Sequence, residues 1–521
     1  MPYVDQWVLL QEIPLARTSQ AGWSYLWSTY WGQRPLLPRL LVLLSARHFH
    51  YAMLPFIVTS VAAQVSTLLI LVWTIWRVFP GRGRAFWLSV IAAAHLLLSA
   101  LQMEMFIEGI GIQYAIGYGA AVAAIALLGV RGDSRLRVEL RFWAAVLAGA
   151  ASSACLAIGP LVWPIMFFEC WLARARAAHF AVLAAAGALV ATAYAIGYTR
   201  PDIGMGVAGA IRHPVDAFRI VALVLGGPIS LYSRSLGIAA GAFGIGVVAG
   251  VLVHAVRSRS LNPAATALAL IGCFMIGSAV AIVIGRFSPE VLDFKSRNPM
   301  PSRYLAPTLA FWAVLFPVSI ACWKGRGMGR VAALGSSLIV LGLTFGTWNW
   351  QWELSREWAS ISERYDAVGS GFLLGVSDPG YMSPILGDAD LRAGIVDYMR
   401  RQHLSIFAEA RARWIGQRIA RIVPVSYRSI CRATIHPDAD LSPAGSVRMI
   451  GSITFDVARP WRAVDVLITD GIGTVKGLAR TLPIYSEYAP AAYFLGYARD
   501  ARPEDMRIFV LLAGTLFNCQ L

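Results

Sequence analysis

Roughly ten stretches of this chain carry enough consecutive apolar residues to cross, or nearly cross, a bilayer, and nothing else in the sequence constrains its fold as tightly. A transmembrane helix needs about 20 such residues. The stretches run Leu54–Trp76, Phe86–Leu101, Gln113–Val130, Phe142–Ile158, Leu161–Leu172, Phe180–Gly197, Gly237–Val256, Ala264–Ile284, Leu305–Cys322 and Val331–Thr347. The fifth is short, follows Gly159 and Pro160 and contains Pro164, so it forms with the fourth either a tight hairpin or one bent pair. In hydrocarbon every backbone group needs a partner within its own segment, which leaves helices as the natural solution here. The expected fold is therefore an all-α polytopic membrane domain of about ten transmembrane helices. Composition agrees: 57% of residues are hydrophobic and only 14% charged. A soluble protein would carry about 25% charged residues, so a wholly water-soluble enzyme is excluded.

The basic residues give an orientation. Every second connection is positive: Arg77, Arg82 and Arg84; Arg131, Arg135, Arg137 and Arg141; Arg174 and Arg176; Arg257 and Arg259; Lys324, Arg326 and Arg330. Cytoplasmic loops carry the excess of Lys and Arg, so these five lie inside. By alternation, residues 1–52, 102–112, 198–236, 285–304 and everything after Thr347 lie outside. The formal charge of +16 is thereby accounted for by topology, and nucleic acid is not an expected partner. With segment 1–52 outside and no apolar helix before it, a further transmembrane helix upstream of Met1 is expected, the alternative being a translocated tail. Within 198–236, the apolar run Ala217–Leu231 fits a helix that dips into or lies on the outer leaflet, or a linker.

Charge divides the chain. Residues 1–347 hold 26 Lys and Arg against 11 Asp and Glu, whereas 348–521 hold 19 against 18. The expected domains are an external segment 1–52, a transmembrane domain 53–347, an extracytoplasmic helical linker region 348–422 and an extracytoplasmic β-sandwich-like domain 423–521. In the linker, Glu353–Ala367 and Asp390–Arg421 read as amphipathic helices, with Leu391, Ile395 and Met399 at helical spacing. Five strands are expected at Val447–Phe455, Ala463–Thr469, Val475–Leu482, Ala491–Tyr497 and Met506–Leu512, with a hairpin turn at Asp470–Gly473. Cys155, Cys170, Cys273 and Cys322 lie in spans, whereas Cys431 and Cys519 flank the strand-rich part and are expected to pair in an oxidising compartment.

No Walker loop, CxxC, HExxH or GxSxG motif is present. The chemistry-bearing residues are instead a ring on the outer side: Asp5, Arg34 and Arg39; Gln102, Glu104, Glu108 and Gln113; Arg200, Asp202 and Arg212; Arg286, Arg297, Arg303 and Tyr304. Charges next to hydrocarbon are costly and tend to mark sites. Guanidinium groups grip phosphate bidentately, and a carboxylate among them can take a proton or hold a divalent cation. Glu169, inside the fifth stretch, needs a partner such as Arg174 or Arg176.

Asp5-Gln6-Trp7 and Tyr30-Trp31-Gly32-Gln33-Arg34-Pro35-Leu36-Leu37-Pro38-Arg39-Leu40 resemble the first external segment of a group of bacterial polytopic membrane proteins. The resemblance continues through Gln102–Phe106, Ala157–Pro164, Tyr194–Pro201 and Ser302–Tyr304. That group is similar in layout to the GT-C-fold glycosyltransferases. The resemblance implies a bacterial cytoplasmic (inner) membrane location and inverting transfer from a polyprenyl-phosphate-linked sugar donor to an envelope glycan or glycolipid acceptor. It places Asp5 at the acidic position of the first external loop and makes Arg303 the candidate for the lipid phosphate; a divalent metal (Mg or Mn) is compatible with such a reaction, but no ligand spacing assigns a cofactor. Glu104 is added as second carboxylate, with Arg34, Arg39, Gln102, Arg286 and Tyr304 as substrate-binding residues. The chain departs from the pattern where Gln6 replaces a second acid and Gly32-Gln33-Arg34 replaces a His-Asn-Glu-His-Arg run. Two other functions are compatible with this layout: a transporter or flippase of a lipid-linked or anionic substrate, and a non-catalytic envelope protein whose tail binds glycan or a partner.

Overall fold

Long apolar runs without internal charge can satisfy their backbone only as helices, and the chain folds accordingly. The structure is a computed structural model describing residues 22–30, 32–107, 109–129, 134–198, 204–230, 232–258, 262–287, 302–322, 328–386, 389–441, 445–456, 463–482, 491–500 and 503–521. Two compact units emerge among the described residues, one from 22–41 and 56–352, the other from 42–55 and 353–521.

The first unit is helical. Among the described residues, seven helices are long and apolar enough to cross a membrane: Leu54–Val78, Arg84–Ile107, Ile112–Gly129, Ala177–Ala195, Arg234–Arg257, Pro263–Arg286 and Ser302–Cys322. An eighth arises if Arg330–Gly346 and Trp348–Trp358, bent by 43°, count as one span. The unit is thus that of a multi-pass membrane protein. Large apolar side chains such as Leu69, Ile91 and Leu189 stay more than half exposed on these helices, as a lipid-facing surface requires. The Gly159–Leu172 stretch is a shorter apolar helix entered through a 3-10 turn at Gly159–Leu161.

At the centre stands the Leu305–Cys322 helix, buried at every position from Leu305 to Ser319. It receives the end of the Pro214–Leu225 helix, whose residues Ile220 to Leu225 are all buried. That apolar run therefore packs inside the bundle. Thr308 Oγ1 donates to the Val224 carbonyl at 2.6 Å and Trp312 Nε1 to the Leu225 carbonyl at 2.9 Å. These bonds reach carbonyls in the last turn of that helix, where intrahelical donors run out.

In the second unit, the last part of the Trp348–Leu374 helix and the Pro379–Leu386 and Ala389–Arg401 helices precede seven strands. The helix expected over Asp390–Arg421 stops at Arg401. Its apolar stripe ends at Met399, after which His403 and Ser405 take positive φ and the chain continues in 3-10 turns. The strands are β1 (Val425–Leu441), β2 (Ser446–Phe455), β3 (Asp465–Thr469), β4 (Val475–Thr481), β5 (Ala492–Arg499), β6 (Arg507–Leu512) and β7 (Thr515–Gln520).

They close into one barrel of order β1-β2-β5-β4-β3-β6-β7, which corrects the expected β-sandwich. The cause is β1. Its 17 residues pair antiparallel with β2 and, over their first half, parallel with β7, so neither edge stays open. The strand runs through Pro437, with a register shift between Pro437 and Ala439. Cys431 and Cys519 face each other across the parallel seam and are joined by a disulfide. Met449, Ile453, Phe494 and Ile508 fill the interior, while Leu467, Leu478 and Phe509 pack outward against Leu373, Trp414 and Ile415.

Candidate functional site

A short 3-10 turn, Ser302–Tyr304, opens the central helix, and the Met103–Ile107 helix brings Glu104 against it. Glu104 Oε2 accepts from Ser302 Oγ and from the Arg303 backbone N–H, both at 3.0 Å. Its Oε1 accepts from Arg303 Nη1 at 3.1 Å, and the Glu104 N–H donates back to Ser302 Oγ at 3.2 Å. The Glu104 and Arg303 side chains are 13% and 22% exposed, so this is a partly desolvated, reciprocal clamp rather than a solvated surface pair. It fixes the direction in which Tyr304 leaves the turn.

Tyr304 meets Tyr114 and Phe287 edge-on, with ring centroids at 6.4 and 6.1 Å. Tyr114 in turn stacks on Tyr118. Beside these rings lies a cavity of about 420 Å³, within the usual size of small-molecule sites. Its wall includes Tyr304, Tyr114, Arg286, Gln33, Tyr198 and Val207. Gln33 arrives there through a tight reverse turn in which Tyr30 and Gln33 exchange both backbone hydrogen bonds at 2.8 Å. Val207 is held by the Met205 N–H, which donates to the Phe287 carbonyl at 2.8 Å. Gly204 is obligatory at this crossing: its φ is +85°, and a Cβ would lie 2.6 Å from the Arg286 nitrogen. The Pro263–Arg286 helix starts next to the basic connection at Arg257 and ends at the cavity, so the cavity belongs to the opposite end of the unit.

The proposed ring of polar residues is sorted by the fold. Glu104, Arg303, Tyr304 and Arg286 come together at this end. Arg34 is 3% exposed and donates to the carbonyls of Trp27, Tyr194 and Ile196, with its guanidinium 5.1 Å over the Trp27 ring. Arg39 is fully buried, donates to the carbonyls of Leu26 and Ser28, and lies 5.0 Å over the Tyr25 ring. Gln102 is fully buried and donates to the carbonyls of Leu96 and Leu97 at the end of the Arg84–Leu97 helix. Asp5, together with Glu108, Arg200, Asp202 and Arg297, lies outside the described residues.

Among the described residues no group of three His, Cys, Asp or Glu side chains converges on a metal position. Glu104, the carboxylate next to the cavity, already accepts from three donors and faces a guanidinium that would repel a cation. The described side chains therefore do not fit a divalent ion.

Polar groups within the spans are also spoken for. Gln64 donates to the Leu97 carbonyl at 2.9 Å, and His95 pairs with Gln351 at 3.3 Å. Glu169 differs: it is 4% exposed and neither oxygen has a hydrogen-bond partner among the described residues. Its expected partner Arg176 instead binds Glu139 at 3.0 Å. The sequence reading did not assign Tyr114, Tyr198 and Ser302 to the site. The only signal for the first was Tyr114 and Tyr118 at i, i+4 beside a polar helix start.

Comparison with family models, with curated proteins and with solved structures finds no match to this chain.

Proposed function

We propose that this protein transfers a sugar from a polyprenyl-phosphate-linked donor to an envelope glycan or glycolipid, on the extracytoplasmic side of a bacterial inner membrane. The observation that supports it is the cavity walled by Arg286 and Tyr304, with the Glu104–Arg303 clamp beside it. A departing lipid phosphate carries negative charge that grows in the transition state, and preorganised guanidinium groups stabilise such charge. Arg286 and Arg303 take that role in this reading. Tyr304 and Tyr114 offer an amphipathic wall on which a sugar ring can rest. Glu104 acts as a positioning residue, because its oxygens are engaged by Ser302 and Arg303. Proton removal from the acceptor hydroxyl falls to Asp5. No step is assigned to a metal.

The test is reconstituted, purified protein supplied with polyprenyl-phosphate sugars, with transfer read by glycolipid mass shift. Arg286→Ala and Asp5→Asn should each lower kcat by about 100-fold or more, as loss of a charge-stabilising or proton-accepting group does. Glu104→Gln should have a smaller effect. Full transfer by folded Arg286→Ala protein refutes the assignment, and absence of transfer from any polyprenyl-phosphate sugar by the wild type refutes the reaction class.

A further inference from the structure

A second cavity, sharing no wall residue with the first, runs along the helical unit between the Arg234–Ser258 helix and the Met328–Leu341 helix with its continuation. It holds about 630 Å³, and its lining is aliphatic, aromatic or glycine except for Tyr232 and Thr347 at one end. One wall belongs to the candidate span Arg234–Arg257, the other to Arg330–Gly346, which passes as a span together with Trp348–Trp358. One wall runs from Leu236 to Phe243 and the other from Gly335 to Gly346. At 1.5 Å rise per residue these measure roughly 10 and 16 Å. That matches one leaflet, since the full hydrocarbon core is about 30 Å thick.

The polar end lies where a lipid headgroup would. Tyr232 is 54% exposed there, and Trp348, next to Thr347, is 65% exposed. Aromatic side chains of this kind belong at the membrane–water boundary. The groove is also maintained at a cost. Gly342 and Gly346 bound a π-helical turn, a departure from α geometry that recurs at functional positions. A glycine inside a helix costs about 1 kcal/mol relative to alanine. Gly342 has no compensating contact: a Cβ built there meets no atom within 4 Å, and its φ is not positive. What the missing side chain provides is the space of the groove.

We propose that this groove binds one acyl chain of a bilayer phospholipid, with the headgroup at the level of Tyr232 and Thr347. The chain replaces the packing that a side chain at residue 342 would supply. This inference does not depend on sugar transfer.

The full-length protein is reconstituted into nanodiscs containing a phospholipid with a diazirine in mid-chain, irradiated and mapped by peptide mass spectrometry. Label is expected to concentrate on Phe243, Leu338 and Leu343 over Leu69, Ile91 and Leu189, which are exposed on other candidate spans. Gly342→Leu starts from a Cβ position with no atom within 4 Å and projects into the groove, and Ala239→Leu fills it from the other wall. Each should abolish the concentrated label while the label on Leu69, Ile91 and Leu189 persists. Even labelling of all lipid-facing helices overturns the proposal, as does concentrated label that survives in both variants. Displacement by added polyprenyl phosphate, with none by excess phospholipid, also overturns it and assigns the groove to a lipid-linked substrate.

Discussion

Replacing Asp378 by alanine should loosen the tail more than any single surface change. Asp378 is 2% exposed, and its Oδ2 accepts from Arg448 Nη1 on β2 and from the Tyr497 hydroxyl on β5, both at 2.9 Å. One carboxylate thus ties the turn after the Trp348–Leu374 helix to two neighbouring barrel strands. Removing one member of a buried ion pair costs about 3 to 5 kcal/mol, because the remaining charge is left in a poor solvent. Arg448 is 15% exposed and keeps its contact with the Tyr381 ring at 4.5 Å, which pulls the figure toward the lower end. The orphaned Tyr497 hydroxyl adds about 1 kcal/mol or more. A net loss of about 4 kcal/mol corresponds to a roughly 700-fold larger open population, at tenfold per 1.4 kcal/mol. Two units do not unfold as one transition, so the assay is local: amide hydrogen exchange of β2 and β5 in detergent micelles. Asp378→Asn should fall between wild type and alanine. The double variant with Arg448→Ala should cost less than the sum of the two single changes. Unchanged protection of both strands in Asp378→Ala, or strict additivity of the pair, refutes the reasoning.

Three further outcomes follow from the same structure. The Cys431–Cys519 bond closes a loop with a sequence separation of 88 residues, for which chain entropy gives about 4.5 kcal/mol; Cys431→Ala with Cys519→Ala should make the barrel sensitive to thermolysin, and equal resistance would count against a stabilising bond. Burial, and next the charge of Asp378, hold the Tyr497 phenol well above its usual value of 10. Its contribution is therefore complete below about pH 10 and lost as pH rises beyond it, by about 1.4 kcal/mol per pH unit; hydrogen exchange of β5 should show that loss, and Tyr497→Phe should remove it. Glu169 is buried without a hydrogen-bond partner among the described residues, so Glu169→Met should raise the melting temperature of the helical unit by removing a penalty of about 1 to 3 kcal/mol; a lower melting temperature would reveal a partner for the carboxyl.

What the sequence disclosed follows from how local each signal is. Five strands were readable within a residue or two, because each has turn residues on both sides and a short apolar run between them. β1 was not, since Pro437 and its neighbouring acids look like a break, yet the strand runs through them. Barrel closure was hidden because it depends on a parallel β1–β7 pairing across about 90 residues, which no local pattern encodes. At the site, the meeting of Glu104 with Arg303 spans 199 positions and was proposed only through their shared side of the bundle. The alternation of basic connections carried that information, because it assigns helix ends to sides without specifying contacts.

The same alternation cannot tell a cation that serves a ligand from one that serves the backbone, and here the two kinds are separable by what surrounds them. Tyr194 and Ile196 end the Ala177–Ala195 helix, and Leu26, Trp27 and Ser28 end the Gly22–Trp27 helix. Carbonyls at a helix C-terminus lack helical donors and carry the negative end of its dipole. Arg34 and Arg39 donate into these carbonyls, so they act as caps for two helix ends. Arg286 lines the cavity, and Arg303 sits in the clamp beside it. Loss of activity in Arg34→Ala would therefore be accompanied by faster amide exchange through the last turn of the Ala177–Ala195 helix. The corresponding loss in Arg286→Ala should leave that exchange unchanged. If Arg34→Ala removes activity with the helix end still protected, its guanidinium reaches the ligand after all, and the division drawn here between capping and binding arginines fails.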